Sequence, residues 1–201
     1  MTEIPAASPD AILAATRHWL TRAVIGLNLC PFAKSVHAKR QIRYAISEAT
    51  TLEQVLADLE TELRTLAQAD PAAIDTTLLI VPHALADFLD FNDCLYFADR
   101  LLKQLRVEGT LQIASFHPQY QFEGSEADDI ENYTNRAPYP ILHLLREASM
   151  ARAVDAFPDA AAIYERNQET LRRLGHDGWR AWMSRPAPDG DDGSDNSDDS
   201  E

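Results

Sequence analysis

The sequence lacks several features that would assign it to a familiar class of protein. It has no run of about eighteen apolar residues, the length that a transmembrane helix requires. Its two cysteines, Cys30 and Cys94, are too few to staple a chain of 201 residues, so we predict that both are thiols. Its seven glycines form neither a Gly-x-Gly-x-x-Gly nor a Walker pattern, which argues against the common nucleotide-binding loops.

Positive charge is also scarce. The formal net charge is -14 at pH 7. Nucleic acids and anionic membranes are bound by clustered Lys and Arg side chains, so we predict that neither is a partner. The first residues do not have the basic, apolar and small-residue order of a secretory signal. We therefore expect a cytoplasmic protein.

Much of the negative charge lies in residues 186–201. This segment consists of Pro, Gly, Ser, Asn and acidic residues with a single alanine as its apolar residue, and it holds seven carboxylates. Such a composition cannot bury enough surface to offset the entropy of ordering the chain. We predict one domain over residues 1–185, followed by a disordered acidic tail over residues 186–201.

Hydrophobic periodicity predicts alternating helices and strands. The expected elements, in chain order, are a helix from Ser8 to about Gly26, a strand over 42–46, a helix over 51–66, a strand over 77–81, a helix over 90–106, a strand over 111–116, a helix from Pro140 toward Phe157 and a helix from Pro158 to about Gly175. Alternation of this kind is typical of βαβ crossovers. We predict an α/β fold with a small, mostly parallel sheet of about three strands, flanked by N-terminal and C-terminal helices.

The carboxyl ends of parallel strands are the usual place for ligands in such sheets. His117 ends the third predicted strand and opens a long loop to Tyr139. Long loops in compact domains commonly bind something, and this one combines aromatic walls with directional polar groups. We predict a small-molecule pocket here, with substrate contacts from the loop residues Tyr120, Asn132, Asn135, Arg136 and Tyr139.

Two histidines are candidates for catalysis in this pocket. Arg136 could hold an anionic substrate through its planar guanidinium, while His117 or His143 transfers a proton. His143 falls in the first turn of the predicted helix from Pro140, where the helix dipole would keep the imidazole neutral. A structural alternative is that Arg136 pairs with nearby carboxylates, namely Asp128, Asp129 or Glu131, while the histidines satisfy backbone carbonyls.

Cys30 is the third catalytic candidate. It directly precedes Pro31, which could start a short helix, and Lys34 is close. Both features would lower the pKa of the thiol and make it reactive. The alternative is that Cys30 is a small buried side chain. His117, His143 and Asp128 or Asp129 could supply metal ligands, but no metal-binding spacing is present, so we predict no metal and assign no cofactor.

Four segments carry a resemblance to a known family. They are Val-Ile-Gly-Leu-Asn-Leu-Cys-Pro-Phe-Ala at 24–33, the acidic and aromatic stretch at 87–93, the stretch at 115–122, and Asn-Tyr-Thr-Asn-Arg-Ala-Pro-Tyr-Pro-Ile-Leu-His-Leu-Leu-Arg-Glu at 132–147. The chain from the first helix to Trp182 resembles a bacterial family named domain of unknown function 1415. The resemblance implies a bacterial, cytoplasmic origin, and it implies nothing about chemistry.

Three functional hypotheses remain open at this point. The first is an enzyme that acts on a small anionic metabolite by hydrolysis or group transfer. The second is a non-catalytic domain that binds or senses a small molecule in the same pocket. The third is a scaffold whose long loop contacts a protein partner. The sequence does not predict the oligomeric state.

Overall fold

The computed structural model describes residues 7–155 and 162–186. Apart from Pro186, the predicted acidic tail therefore lies outside the described residues, and so does the predicted helix start at Pro158. Within the described part, the elements form a mixed α/β fold of six α-helices and one four-stranded sheet. No helix in this part is long and apolar enough to cross a membrane.

The sheet contains both parallel and antiparallel strands. The strands are β1 (Ile42–Ile46), β2 (Thr76–Ile80), β3 (Leu111–Phe116) and β4 (Ile141–Arg146). Their spatial order is β1-β2-β4-β3. β1 pairs with β2 in parallel, while β4 lies antiparallel between β2 and β3. The first three strands therefore point the same way, and the last strand runs against them.

The prediction of a mostly parallel sheet of about three strands was therefore wrong in detail, although the α/β class is confirmed. The error lies in the segment that follows Pro140. This segment was predicted to be a helix, but residues 141–146 form the inner strand β4, and the helix begins only at Glu147. Leucine favours helices, yet hydrogen bonding to strands on both sides outweighs that local preference.

Two long helices cover one face of the sheet. They are α3 (Leu52–Gln68) and α4 (Phe88–Gln104), each of 17 residues. The Thr51 side chain accepts a hydrogen bond from the Gln54 amide and caps α3, as the sequence predicts. The N-cap of α4 is Asp87, three residues before the predicted start. Both helices pack against Leu142 and Leu144 of β4 in the larger apolar cluster.

The other face of the sheet carries less continuous cover. Helix α1 (Pro9–Trp19) runs directly into a π-helical turn (Leu20–Ile25) and packs with Leu78, Ile80 and Ile141. Two short helices flank it, namely α2 (Ala33–Ala38) and α5 (Glu147–Asp155).

Helix α6 (Ala162–Met183) packs over the loop between β3 and β4. It bends at Gly175, which adopts a positive φ of 64°. Its end is tied to the first helical segment in both directions, because Trp182 Nε1 donates to Arg22 O and Arg22 donates to Trp182 O. These two hydrogen bonds hold the end of α6 against the π-helical turn.

Candidate functional site

A cavity of about 790 Å³ lies against the sheet face that carries α1. Its walls are mostly apolar and include Trp19, Leu20, Val24, Leu78 and Phe116. The cavity extends beside Gln41, Pro71 and Ala72, which precede β1 and β2 in the chain. A concave apolar space of this size with a few polar groups is the common form of a small-molecule site.

The π-helical turn supplies part of the wall. Leu20 and Val24 belong to this turn and border the cavity, and the backbone carbonyl of Val24 accepts a hydrogen bond from the Cys30 amide at 3.3 Å. The turn ends at Gly26, where a Cβ atom would lie 2.3 Å from the Arg22 carbonyl oxygen. Single π-helical turns occur often at functional sites. Here the turn connects α1 to the segment that carries Cys30.

His143 lies on the cavity side of β4. It pairs in register with Leu78 and Ala114, so it sits near the middle of the sheet rather than at a helix start. Its Nε2 atom lies 2.7 Å from the Thr76 hydroxyl. Burial lowers the pKa of His143 to about 4, so the ring is neutral at pH 7. The predicted neutrality therefore has a different cause, which is burial in a strand.

Cys30 also borders the cavity. Its side chain is half-buried, and burial raises the pKa of the thiol, although the Phe32 and Ala33 backbone groups oppose this effect. The lowered pKa expected from the sequence is therefore wrong. A protonated thiol in apolar surroundings is a poor nucleophile. Cys94, on the opposite face, is buried with a pKa raised to about 11.

The rim of the cavity carries more positive than negative charge. Lys39, Arg146 and Arg152 border it, against a single carboxylate, Asp75. The Arg146 guanidinium is already bound to the Leu66, Ala69 and Ile74 carbonyls, where it closes the end of α3. Arg152 donates to Ser149 Oγ, which in turn donates to Asp75. Lys39 has no ion-pair or hydrogen-bond partner among the described side chains.

His117 lies on the opposite side of the sheet. Its ring is fully buried, and it packs against Phe88 and Phe91 of α4. Nε2 donates to Leu85 O at 3.0 Å, and Nδ1 accepts from the Gln119 amide at 3.0 Å. Burial lowers the pKa of His117, which favours the neutral ring that these two hydrogen bonds require. Both ring nitrogens are thus occupied in joining the loops that follow β2 and β3.

Arg136 is used within the long loop. Its guanidinium donates to Tyr120 O and Ala127 O and lies over the Tyr133 ring at 4.6 Å. The structural alternative considered for Arg136 is therefore close to what is seen, except that the acceptors are carbonyls rather than carboxylates. Glu131, one of the expected partners, pairs with Arg172 of α6 instead.

The other predicted loop residues also make internal contacts. Asn132 is fully buried, and it accepts from the Phe122 amide and Ser125 Oγ while donating to Glu126 O. Asn135 donates to Ser115 O. The Tyr120 ring packs at a tilt against Phe88, and burial raises the pKa of its hydroxyl. Tyr139 packs with the apolar cluster beneath α1.

The structure thus brings two of the eight predicted site residues to one cavity, His143 and Cys30. The other six, named above, do not line it, and the predicted shared centre of His117, Arg136 and His143 is not formed. The cavity also lies over the sheet face and toward the start of β1 and β2, not at their carboxyl ends. Sequence reasoning missed Thr76, Lys39, Phe116 and Arg152. If β4 had been recognised as a strand, His143 would have been placed on the face of the sheet opposite to that of Leu142 and Leu144.

Comparison with known families gives one result. A family model described as protein of unknown function (DUF1415) matches residues 11–181. The chain belongs to this family. No curated protein and no solved structure matches the chain. The matched region of this DUF1415 chain contains the sheet, the π-helical turn and every described residue that lines the cavity.

No group of three or more His, Cys, Asp or Glu side chains within residues 7–155 and 162–186 could hold a metal ion. In the cavity itself, His143 and Cys30 are accompanied by one carboxylate, Asp75, whose oxygen accepts from Ser149. The polar groups that face the cavity are thus suited to hydrogen bonding and charge pairing with a ligand.

Proposed function

We propose that this protein binds an amphipathic small molecule in the cavity between the sheet and its α1, α2 and α5 cover. The observation that carries the proposal is a cavity of about 790 Å³ whose mostly apolar walls carry a hydrogen-bonded polar pair, Thr76 and His143. Burial of apolar ligand surface would supply most of the affinity, at about 25 cal/mol per Å². The polar pair would fix the ligand's orientation.

Binding without catalysis is the form of this function that the side chains favour. His143, with a pKa of about 4, is a weak base at pH 7, and Cys30 is a protonated thiol. Hydrolysis or group transfer on an anionic metabolite needs an activated group beside the ligand. His117, the other imidazole predicted to transfer a proton, and Arg136, predicted to hold the substrate, make internal hydrogen bonds elsewhere.

A ligand with an anionic group fits the rim. Lys39 and Arg152 stand at the cavity border in a chain whose net charge is -14. A local excess of cations on an acidic protein attracts anions to that place. The proposal therefore keeps an anionic small molecule as the ligand. It moves the binding site from the long loop to the cavity, and it adds a large apolar part to the ligand.

Calorimetric titration with linear carboxylates from hexanoate to tetradecanoate tests this proposal. We expect saturable one-to-one binding, with a negative heat-capacity change from burial of the chain. Ala153→Trp fills the cavity from α5 and should abolish binding, while Ala151→Trp, on the exposed side of the same helix, should not. Ala72→Trp blocks the cavity from the other side and replaces Ala153→Trp if that variant unfolds.

Two results would contradict the proposal. One is the absence of saturable binding to the wild-type protein across the whole series. The other is unchanged affinity in a folded Ala153→Trp or Ala72→Trp variant, because the ligand would then occupy another place.

A further inference from the structure

The hydrogen-bond network at His143 determines which ring nitrogen carries the proton. The Thr76 hydroxyl lies 2.6 Å from Leu144 O and 2.7 Å from His143 Nε2. A hydroxyl has one proton, and a carbonyl oxygen can only accept. The Thr76 proton therefore goes to Leu144 O, and Thr76 Oγ1 accepts from Nε2–H. His143 is the Nε2–H tautomer, and its Nδ1 atom carries a lone pair.

The Nδ1 lone pair has no hydrogen-bond partner among the described residues. His143 borders the cavity, and its ring lies near that of Phe116, with a ring-centroid distance of 6.0 Å. This part of the cavity therefore offers one acceptor in apolar surroundings. A ligand with a donor there gains a hydrogen bond, while a ligand with an anionic oxygen there meets a second lone pair.

The cations belong to other elements than this acceptor and are more exposed than it. Lys39 is exposed at the end of α2, and Arg152 is exposed on α5. Both nevertheless border the cavity. An anionic group placed between them stays near solvent, where its desolvation cost is small. The acceptor and the exposed cations thus favour opposite kinds of polar group.

We infer that the ligand is an apolar carboxylic acid that carries a hydroxyl or N–H donor at the end remote from its carboxylate. The donor binds His143 Nδ1, the apolar middle packs on Trp19, Leu78 and Phe116, and the carboxylate faces Lys39 and Arg152. This inference rests on the proposed function and adds the ligand's chemical class and direction. It depends on a separate observation, which is that the contact with Thr76 places the imidazole proton on Nε2.

Three probes separate the two polar ends of the ligand. They are 10-hydroxydecanoate, decanoate and methyl 10-hydroxydecanoate. In calorimetric titrations of the wild-type protein we expect 10-hydroxydecanoate to bind about fivefold more tightly than decanoate, the size of one added hydrogen bond. The methyl ester should bind more weakly than 10-hydroxydecanoate, and added salt should weaken the binding of both acids but not of the ester.

Variants assign each preference to its residue. In His143→Phe the order should invert, so that decanoate binds more tightly, because the phenyl ring has no acceptor. In Thr76→Val the imidazole remains but its proton is no longer fixed, so the preference for the hydroxyl should shrink without inverting. Lys39→Ala should weaken both acids about fivefold and leave the ester unchanged, while Lys34→Ala, outside the cavity lining, should change none of them.

The outcomes distinguish this inference from the proposed function. Equal binding of decanoate and 10-hydroxydecanoate to the wild-type protein overturns the inference and leaves the cavity as a binding site. An unchanged hydroxyl preference in a folded His143→Phe variant also overturns it. Absence of binding by all three probes overturns both. If His143→Phe does not fold, the Thr76→Val result decides, since an unchanged preference there contradicts the assigned proton position.

Discussion

The two faces of the sheet differ in how completely they are covered. On one face, α3 and α4 pack with Leu142 and Leu144 of β4 into a continuous core, in which these two leucines and Phe91 of α4 are fully buried. On the other face, α1 and its π-helical turn cover Ile80 and Ile141 but leave a cavity beside His143 and Leu145. The same strand, β4, contributes alternate residues to both faces. Neighbouring residues of β4 therefore point to different places, one into the core and the next toward the candidate site.

The largest expected effect comes from shortening a side chain on the closed face. Leu144→Ala should lower the free energy of unfolding by about 3–4 kcal/mol, because the fully buried side chain leaves a void that helices on that face cannot fill. Leu145→Ala, the next residue on the cavity face, should cost about 1 kcal/mol or less, since that side already borders open space. Urea unfolding of both variants measures the difference. Equal losses would contradict the contrast between the faces.

A smaller effect should follow from pH on the cavity face. The pKa of His143 is lowered from 6.5 to about 4 in the folded protein. Above pH 6.5 the imidazole is neutral in both states; below it the unfolded chain binds a proton that the folded protein does not. Stability should therefore fall as pH decreases from about 6.5 to 4, by about 3 kcal/mol at about 1.4 kcal/mol per pKa unit.

His143→Gln isolates this contribution from other titrating groups, including His117, whose pKa is also lowered. The difference in unfolding free energy between wild type and His143→Gln should change across pH 4–6.5 and stay constant above pH 7. His83→Gln, which leaves the cavity unchanged, serves as the control. A wild-type and His143→Gln difference that is constant from pH 4 to 8 would show that the imidazole is solvated rather than buried.

The smallest of the three effects concerns the π-helical turn. In Gly26→Ala the new Cβ would lie 2.3 Å from the Arg22 carbonyl oxygen, so the turn must shift. We expect a loss of about 2 kcal/mol in the free energy of unfolding, as for other overpacked sites. Gly178→Ala in α6 is the matched control, because its nearest contact, at 3.0 Å, is the movable Leu174 side chain. A thermal or urea unfolding curve for Gly26→Ala that matches wild type would mean that the π-helical turn is not constrained at this glycine.

The sequence was a good guide wherever local signals agreed with the environment. The Thr51 cap and the leucine stripe of α3 predict that helix because one stripe is buried and the rest is exposed. β4 was missed because Ile141-Leu-His-Leu-Leu-Arg146 has the composition of a helix, and its strand conformation comes from β2 and β3 on either side. A pattern confined to one segment carries no information about partners 25 to 69 residues away.

The candidate site shows the same limit. Cys30 and His143 could be named from chemistry alone, and both border the cavity. The polar loop residues looked equally suitable, but the side chains of Asn132 and Arg136 form hydrogen bonds with the loop's own backbone. Sequence shows which groups are available for bonding, and only the fold shows which are already occupied.

The position of β4 also affects the order in which the protein can assemble. β4 is the last of the four strands in the described residues, yet it lies between β2 and β3, which do not pair with each other. A nascent chain that ends before Ile141 therefore leaves unpaired the edges of β2 and β3 that β4 covers in the folded protein, and such edges favour pairing with other chains. The pairing of β4 closes both of these edges and also places His143 beside Thr76.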